Sequence, residues 1–236
     1  MTAHAAAWRR RAAGQRVMHP TRLAGALTAT RLWFIRHGEP ADGVAGAFIG
    51  RTEVDLSPLG KHQAEALKEY LKDAQVDAVL SSPRRRARDT VAPLAAGHGI
   101  PIRTVAGFAE MDFGRWEGLR WDAIVAQDPD YAERWQANPA AIPCPDGESC
   151  AQFQARIESA LESFLSEFRG RSVVLGAHAG TNRAILAHIL GRPYMEAFAF
   201  AQDYGCINAA AWSEEAGAQV ALVNVVPGPR SAVNGD

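Results

Sequence analysis

Apolar positions in this chain come in two rhythms. Short β-branched or aromatic runs at Arg31–Ile35, Val76–Leu80, Ile102–Val105, Ser172–Gly176 and Gln219–Val225 read as strands, with Cys206–Trp212 a weaker, alanine-rich sixth. Between several of them the period lengthens to that of a helix. Ser57-Pro58 supplies an N-cap serine and a proline at the first helical position, and Ala64, Leu67, Tyr70 and Leu71 follow at helical spacing. A second helix is predicted over Arg84–Ala96 and a third over Gly147–Phe168, where Phe153, Ile157, Leu161, Phe164, Leu165 and Phe168 form one apolar stripe. A fourth covers Thr181–Leu190. Strands alternating with helices predict an α/β fold, a three-layer α/β/α sandwich around a mostly parallel central sheet.

The rhythm breaks from Gly107 to Pro145, where Trp116, Trp121 and Trp135 stand among several prolines. This reads as an insertion lying over something, with plain packing as the alternative role of its tryptophans, above all Trp135. No internal repeat or low-complexity linker interrupts the remainder. Residues 30–228 are therefore expected to form one domain, with 107–145 inserted over the active site. Residues 1–29 are expected to be a basic, disordered extension and 229–236 a flexible tail.

Composition narrows the classes. Apolar residues are 47% and charged residues 22%, an ordinary globular balance. A net charge of −1 gives no chain-wide attraction to nucleic acid or an anionic membrane, so any anion must be met by a local cluster. No run approaches the ~20 apolar residues that span a bilayer. The cysteines Cys144, Cys150 and Cys206 form no CxxC pair, and fit buried thiols in a reducing, cytoplasmic setting better than a disulfide framework or a zinc site. The first acidic residue is Glu39, and Arg9, Arg10, Arg11, Arg16, Arg22, Arg31 and Arg36 all precede it. Such a stretch is similar to a transit peptide but has no secretory apolar region. The simpler reading is an extension, or an upstream start with Met18 near the true beginning.

Parallel topology turns three separate stretches into one place, because ligands of open α/β sheets collect at the carboxyl ends of the strands. The first strand ends in Arg36-His37-Gly38-Glu39. The strand at 76–80 leads to Ser81-Ser82-Pro83, with arginines at 84, 85, 86 and 88. The strand at 172–176 leads to Ala177-His178-Ala179-Gly180-Thr181, where a helix begins. Two histidines and several arginines beside a helix N-terminus predict a phosphate site. Singly, these signals are weak. A histidine after a strand is more often structural, and His4, His19, His62, His98 and His188 are read that way. At helical spacing only one or two of the four arginines can face the strand end. Gly60-Lys61 belongs to no Walker motif, since position 55 is aspartate and 62 histidine. No GxGxxG follows a strand and no HExxH occurs, so no metal is expected.

Together the stretches are specific. Arg36-His37-Gly38-Glu39, then Ser81-Ser82-Pro83 with Arg86-Ala87 and Thr90, then His178-Ala179-Gly180 with Arg183, resemble the motifs of the histidine phosphatase superfamily, whose fold is phosphoglycerate-mutase-like. The segment from Glu110 to Gly118 is similar to that family's acid-bearing loop, and Gly50 to Gly60 to the segment entering its first helix. The resemblance runs from Arg31 to Trp212 in the family's order. It implies that His37 is the nucleophile that becomes phosphohistidine. It also implies that Arg36, Arg86 and His178 hold the phosphoryl oxygens, and that Glu110 protonates the leaving oxygen and then activates water. Gly50, Arg51 and the backbone at Gly180 and Thr181 become further contacts to phosphate or substrate. No cofactor is implied. Planar arginine donors suit the equatorial oxygens of a transferring phosphoryl group, and neighbouring arginines should keep a nucleophilic histidine neutral. A bound phosphate dianion should in turn favour a protonated carboxyl group beside it.

Two departures stand out. The family commonly continues with threonine and, three residues later, asparagine; here those positions hold Pro40 and Gly43. Beside His178, Ala177 and Ala179 replace a small polar residue and a glycine. The reaction expected is hydrolysis of a small phosphorylated metabolite. A mutase shares every central residue, but usually has a longer insertion between the acid and the second histidine. A phosphoprotein phosphatase or a non-catalytic binding member is the remaining alternative: a small-molecule enzyme requires a defined pocket beneath the insertion, a protein phosphatase an open one. Pro145-Asp146-Gly147-Glu148-Ser149 and the segment from Asp203 to Asn208 are similar to α-ribazole phosphatases and broad-specificity relatives. The oligomeric state stays open, a homodimer included.

Overall fold

The computed structural model describes residues 29–41, 44, 46–213 and 217–229. All of the extension but residue 29, all of the tail but residue 229, and Gly43 lie outside the described residues.

Strand β1 (Thr30–Arg36) alternates Leu32 and Phe34 with Trp33 and Ile35, all buried. Adjacent side chains of a strand point to opposite faces, so both faces of the sheet need a cover. Leu32 and Phe34 meet Phe153, Ile157 and Leu161 of one helix and Ala184 and Ile185 of another. Trp33 and Ile35 meet Leu67, Leu71, Val91 and Leu94 on the other side. The latter come from α1 (Pro58–Leu71) and α2 (Arg85–His98). The central sheet runs in the order β3-β2-β4-β1-β5-β6. Strands β2 (Ala78–Ser81), β3 (Ile102–Thr104), β4 (Ser172–Ala177) and β1 are mutually parallel. Strand β5 (Ile207–Ser213) runs antiparallel to both β1 and β6 (Gly217–Val225).

The weak sixth strand is thus an interior one, paired directly with β1. Its alanines give little β-propensity, but Ala209 and Ala210 lie buried in the two opposite cores, paired with Trp33 and Leu32 of β1. Context, not propensity, makes it a strand.

The segment that broke the rhythm contains regular structure after all. Single 3₁₀ turns at Ala106–Phe108 and Gly114–Trp116 are followed by α3 (Trp121–Gln127) and α4 (Pro129–Ala137). Trp116 packs edge-on against Trp121 and Trp135, with ring centroids 6.1 and 5.1 Å apart. Next comes α5 (Cys150–Glu167), started by a reciprocal capping box between Ser149 and Gln152. Helix α6 (Ala179–Ile189) follows β4 with only His178 between them. Across the β1–β4 pair Arg36 stands level with Ala177, so His37 and His178 emerge side by side.

Candidate active site

The nucleophile predicted at the tip of β1 is held by its backbone and its ring. His37 N–H donates to Ala177 O at 3.0 Å, and His37 O accepts from Gly205 N at 3.1 Å. Its Nδ1 lies 2.8 Å from Gly38 O. A carbonyl can only accept, so Nδ1 carries the proton and neutral His37 keeps its lone pair on Nε2. Gly38 is required by close approach: a Cβ there would sit 2.6 Å from Gly60 O, where α1 begins. Glu39 accepts from the Ser57 hydroxyl at 2.9 Å and its N–H donates to Gln63 at 2.8 Å, so it orients the loop.

The second histidine is wholly buried, its ring 5.3 Å from that of His37 in an edge-on arrangement. His178 Nε2 lies 2.7 Å from Ser82 Oγ, while Nδ1 is buried without a hydrogen-bond partner. Burial foremost, then the Arg86 and Arg36 charges, hold His37 well below the usual histidine range, against a smaller opposing effect of Gly38 O. His178 is lowered likewise, by burial first and then by Arg86, His37, Arg36 and Arg84. Both rings are therefore neutral above pH 6.5, and the folded state resists protonation as pH falls below it. The unfolded chain binds those protons, so stability declines as pH drops through that range. We expect histidine-ring NMR to place the His37 midpoint below 6.5, and to find it raised in Arg86→Met. A midpoint at or above 6.5 in the wild type contradicts the burial argument.

Arg86, from the first turn of α2, is 1% exposed. Its Nη1 donates to Thr52 O at 2.9 Å and its Nη2 to Ile49 O and Gly50 O at 2.9 and 3.2 Å. This leaves Nε and one Nη1 hydrogen for an anion, and Nε has no partner. Burial lowers its pKa to about 10, which leaves it charged at neutral pH. The carbonyls that hold it are fixed in turn by Glu117, whose Oε1 accepts from Gly50 N at 2.9 Å and Thr52 N at 2.8 Å. Arg36 is also buried; it bonds Gln202 O and stacks 3.8 Å over the Tyr204 ring. Gln202 is locked by Asn182 and Asn208 at 2.9 Å each.

Glu110 reaches the start of α6. Its Oε2 accepts from Gly180 N at 3.0 Å and its Oε1 from Met111 N at 2.9 Å. Arg156 secures the loop, bonding the carbonyls of Gly107, Ala109 and Glu110 at 3.0–3.2 Å and both oxygens of Glu148. Glu148 also accepts from Asp112 N at 2.9 Å. A Cβ at position 180 would lie 2.3 Å from Glu110 Oε1. We expect Gly180→Ala to fold normally, because the flexible carboxylate can give way, and to lose activity by roughly 10²-fold, the scale of an ångström's misplacement. Wild-type rates with an unchanged melting temperature would separate Gly180 from the chemistry.

Arg36, His37, Arg86, Glu110 and Gly180 share one cavity of about 280 Å³. His178, its ring 5.3 Å from that of His37, is not part of the lining. Gly50 and Arg51 lie outside it too: the polar atoms of Gly50 are engaged by Glu117 and Arg86, and the Arg51 side chain pairs with Asp112. The Thr181 hydroxyl turns to the carbonyls of Phe108 and Ala109 at 3.4 and 3.3 Å. Sequence reasoning missed Gln202, Tyr204 and Glu117 as supports and Arg183 as a lining residue. Only Arg183 had a usable signal, its place five residues after His178.

The family model "Histidine phosphatase superfamily (branch 1)" matches residues 32–225. The chain is 35% identical over 162 residues to putative phosphoserine phosphatase 2 of Hydrogenobacter thermophilus, covering 68% of this chain and 79% of that protein. It is 36% identical over 180 residues to an acid phosphatase of Mycobacterium tuberculosis, covering 75% and 84% respectively. The crystal structure of a putative α-ribazole-5′-P phosphatase from Escherichia coli superposes with a TM-score of 0.78 at 27% identity, covering 83% of this chain and 96% of that one. The chain belongs to branch 1 of the histidine phosphatase superfamily, and it is a phosphomonoesterase of that family.

Proposed function

We propose that the protein hydrolyses a small phosphomonoester in two displacements at His37, within a single domain spanning residues 30–228. In the first, His37 Nε2 forms a bond to phosphorus as the bond to the leaving oxygen breaks, and Glu110 delivers a proton to that oxygen. In the second, Glu110 takes a proton from water, the water oxygen bonds to phosphorus, and the P–N bond breaks. Phosphate leaves and His37 is restored. Arg36 and the spare N–H groups of Arg86 hold the phosphoryl oxygens, in a site where their charge is little screened, and the buried, unpartnered Nδ1 of neutral His178 beside His37 is the further donor assigned to them. Gly180 positions the acid.

The observation that carries this reading is the pinned tautomer of His37. The Gly38 carbonyl accepts a hydrogen bond from Nδ1–H, leaving the Nε2 lone pair for a cavity that also holds two guanidinium groups and a carboxylate. A walled cavity of about 280 Å³ favours a metabolite over a phosphoprotein loop. The family's phosphatase-named members favour hydrolysis over mutase transfer. Three free, buried thiols support work in a reducing, cytoplasmic compartment. The test is phosphate release from p-nitrophenyl phosphate in EDTA, with acid-labile, base-stable phosphate trapped on the protein. Turnover that stops in EDTA, or a label stable to acid, would contradict the mechanism.

A further inference from the structure

We propose that the leaving group this site accommodates is an apolar body, an aromatic or branched hydrocarbon alcohol, in preference to a polyol, an amino acid or a glycerate; the proposal rests on the phosphatase reading above. The cavity lining is divided in character. Arg36, His37, Arg86 and Glu110 supply its phosphoryl end, whereas the rest includes the large apolar side chains of Phe48, Ile49, Val54, Phe113, Trp135 and Phe198. Pro40 also lines it, with neither a side-chain hydroxyl nor an N–H to offer.

Beyond Arg36 and Arg86, the remaining cation of the lining among the described residues is Arg183. It is built into the wall: its Nε donates to Phe200 O at 3.2 Å, and its guanidinium lies 5.1 Å from the centre of the Phe198 ring. A second observation is independent of the lining. Of the three large apolar side chains that are exposed among the described residues, Met195 (43%) and Phe198 (50%) share the 3₁₀ segment Tyr194–Ala199. Phe198 therefore presents one part of its ring to the cavity and another to water, an apolar lip beside the entrance. An apolar alcohol would displace water from this wall at a gain. The carboxylate of a serine or glycerate ester would be stripped of water against it.

The test compares leaving groups of similar alkoxide character. We expect 2-phenylethyl phosphate and isopentyl phosphate to exceed glycerol 3-phosphate and O-phosphoserine in kcat/KM by roughly tenfold or more, the scale on which apolar pockets discriminate, mainly through KM. Phe198→Ser, at a half-exposed position that spares the core, should bring that ratio toward unity. Equal use of the four esters overturns the proposal, as does a ratio indifferent to Phe198→Ser. Preference for phosphoserine overturns it too, and would make Arg183 a carboxylate ligand. If no monoester releases phosphate and no label reaches His37, the phosphatase reading fails and this inference fails with it.

Discussion

His37→Ala should lower kcat for any monoester by on the order of 10⁴–10⁶, the scale seen when a covalent nucleophile is removed. It should also abolish the acid-labile phosphate trapped on the protein. The loss is expected to be chemical, not structural. His37 is held by backbone bonds to Ala177 and Gly205 that alanine retains, so the melting temperature should move little. The ring hydrogen-bonds the adjacent Gly38 carbonyl, and that bond is not needed to close the loop. Label that persists in a folded His37→Ala protein would move the nucleophile elsewhere, and undiminished turnover would sink the mechanism. Arginine contacts that remain in the variant should still bind phosphate, so product inhibition should survive where turnover does not.

Glu110→Gln should separate substrates by leaving group. Alkyl phosphates need a proton on the departing oxygen, and their kcat should fall ~10²–10⁴-fold. p-Nitrophenolate leaves without one, so phosphorylation by p-nitrophenyl phosphate should be nearly spared. The later hydrolysis step, which needs a base, should then become limiting, and an initial burst of nitrophenolate should appear. Glutamine has nearly the shape of glutamate but offers one oxygen instead of two. Either Gly180 N or Met111 N must therefore lose its acceptor, and the Arg156 clamp on the loop carbonyls limits how far the loop can shift. An equal loss in the phosphorylation step itself for both kinds of substrate, with no burst of nitrophenolate, would mean that Glu110 shapes the site without transferring a proton.

What could be read from the chain was what depends on local pattern and order. The run into Arg36-His37, the Ser57-Pro58 cap and the stripe of α5 each state their structure within a few residues, and parallel strands bring their ends to one edge of the sheet. The supports of the site had no such signal. Gln202 holds Arg36 through a backbone carbonyl that any residue would possess, and its own side chain is fixed by Asn182 and Asn208 from α6 and β5. Glu117 steadies Arg86 at one remove, through amides at 50 and 52. Gly50 and Arg51 sit at plausible positions in the sequence, yet their bonds turn them toward Arg86 and Asp112. Strand β5 was faint because its position beside β1, and not its composition, makes it a strand. The helices inside 107–145 were hidden by prolines and tryptophans, whose packing takes over from periodicity.

Because Arg36 stands level with Ala177 across β1 and β4, the distance between the two histidines is metered by strand register and not by any loop. Loss or gain of one residue inside β1 would exchange Leu32 and Phe34 with Trp33 and Ile35 between the two cores, and carry His37 off its mark. Changes of length in the crossovers leave that spacing alone. Insertions and deletions can therefore accumulate in the connections of this protein, and reshape what it accepts, while the paired strand tips stay a unit of constant size.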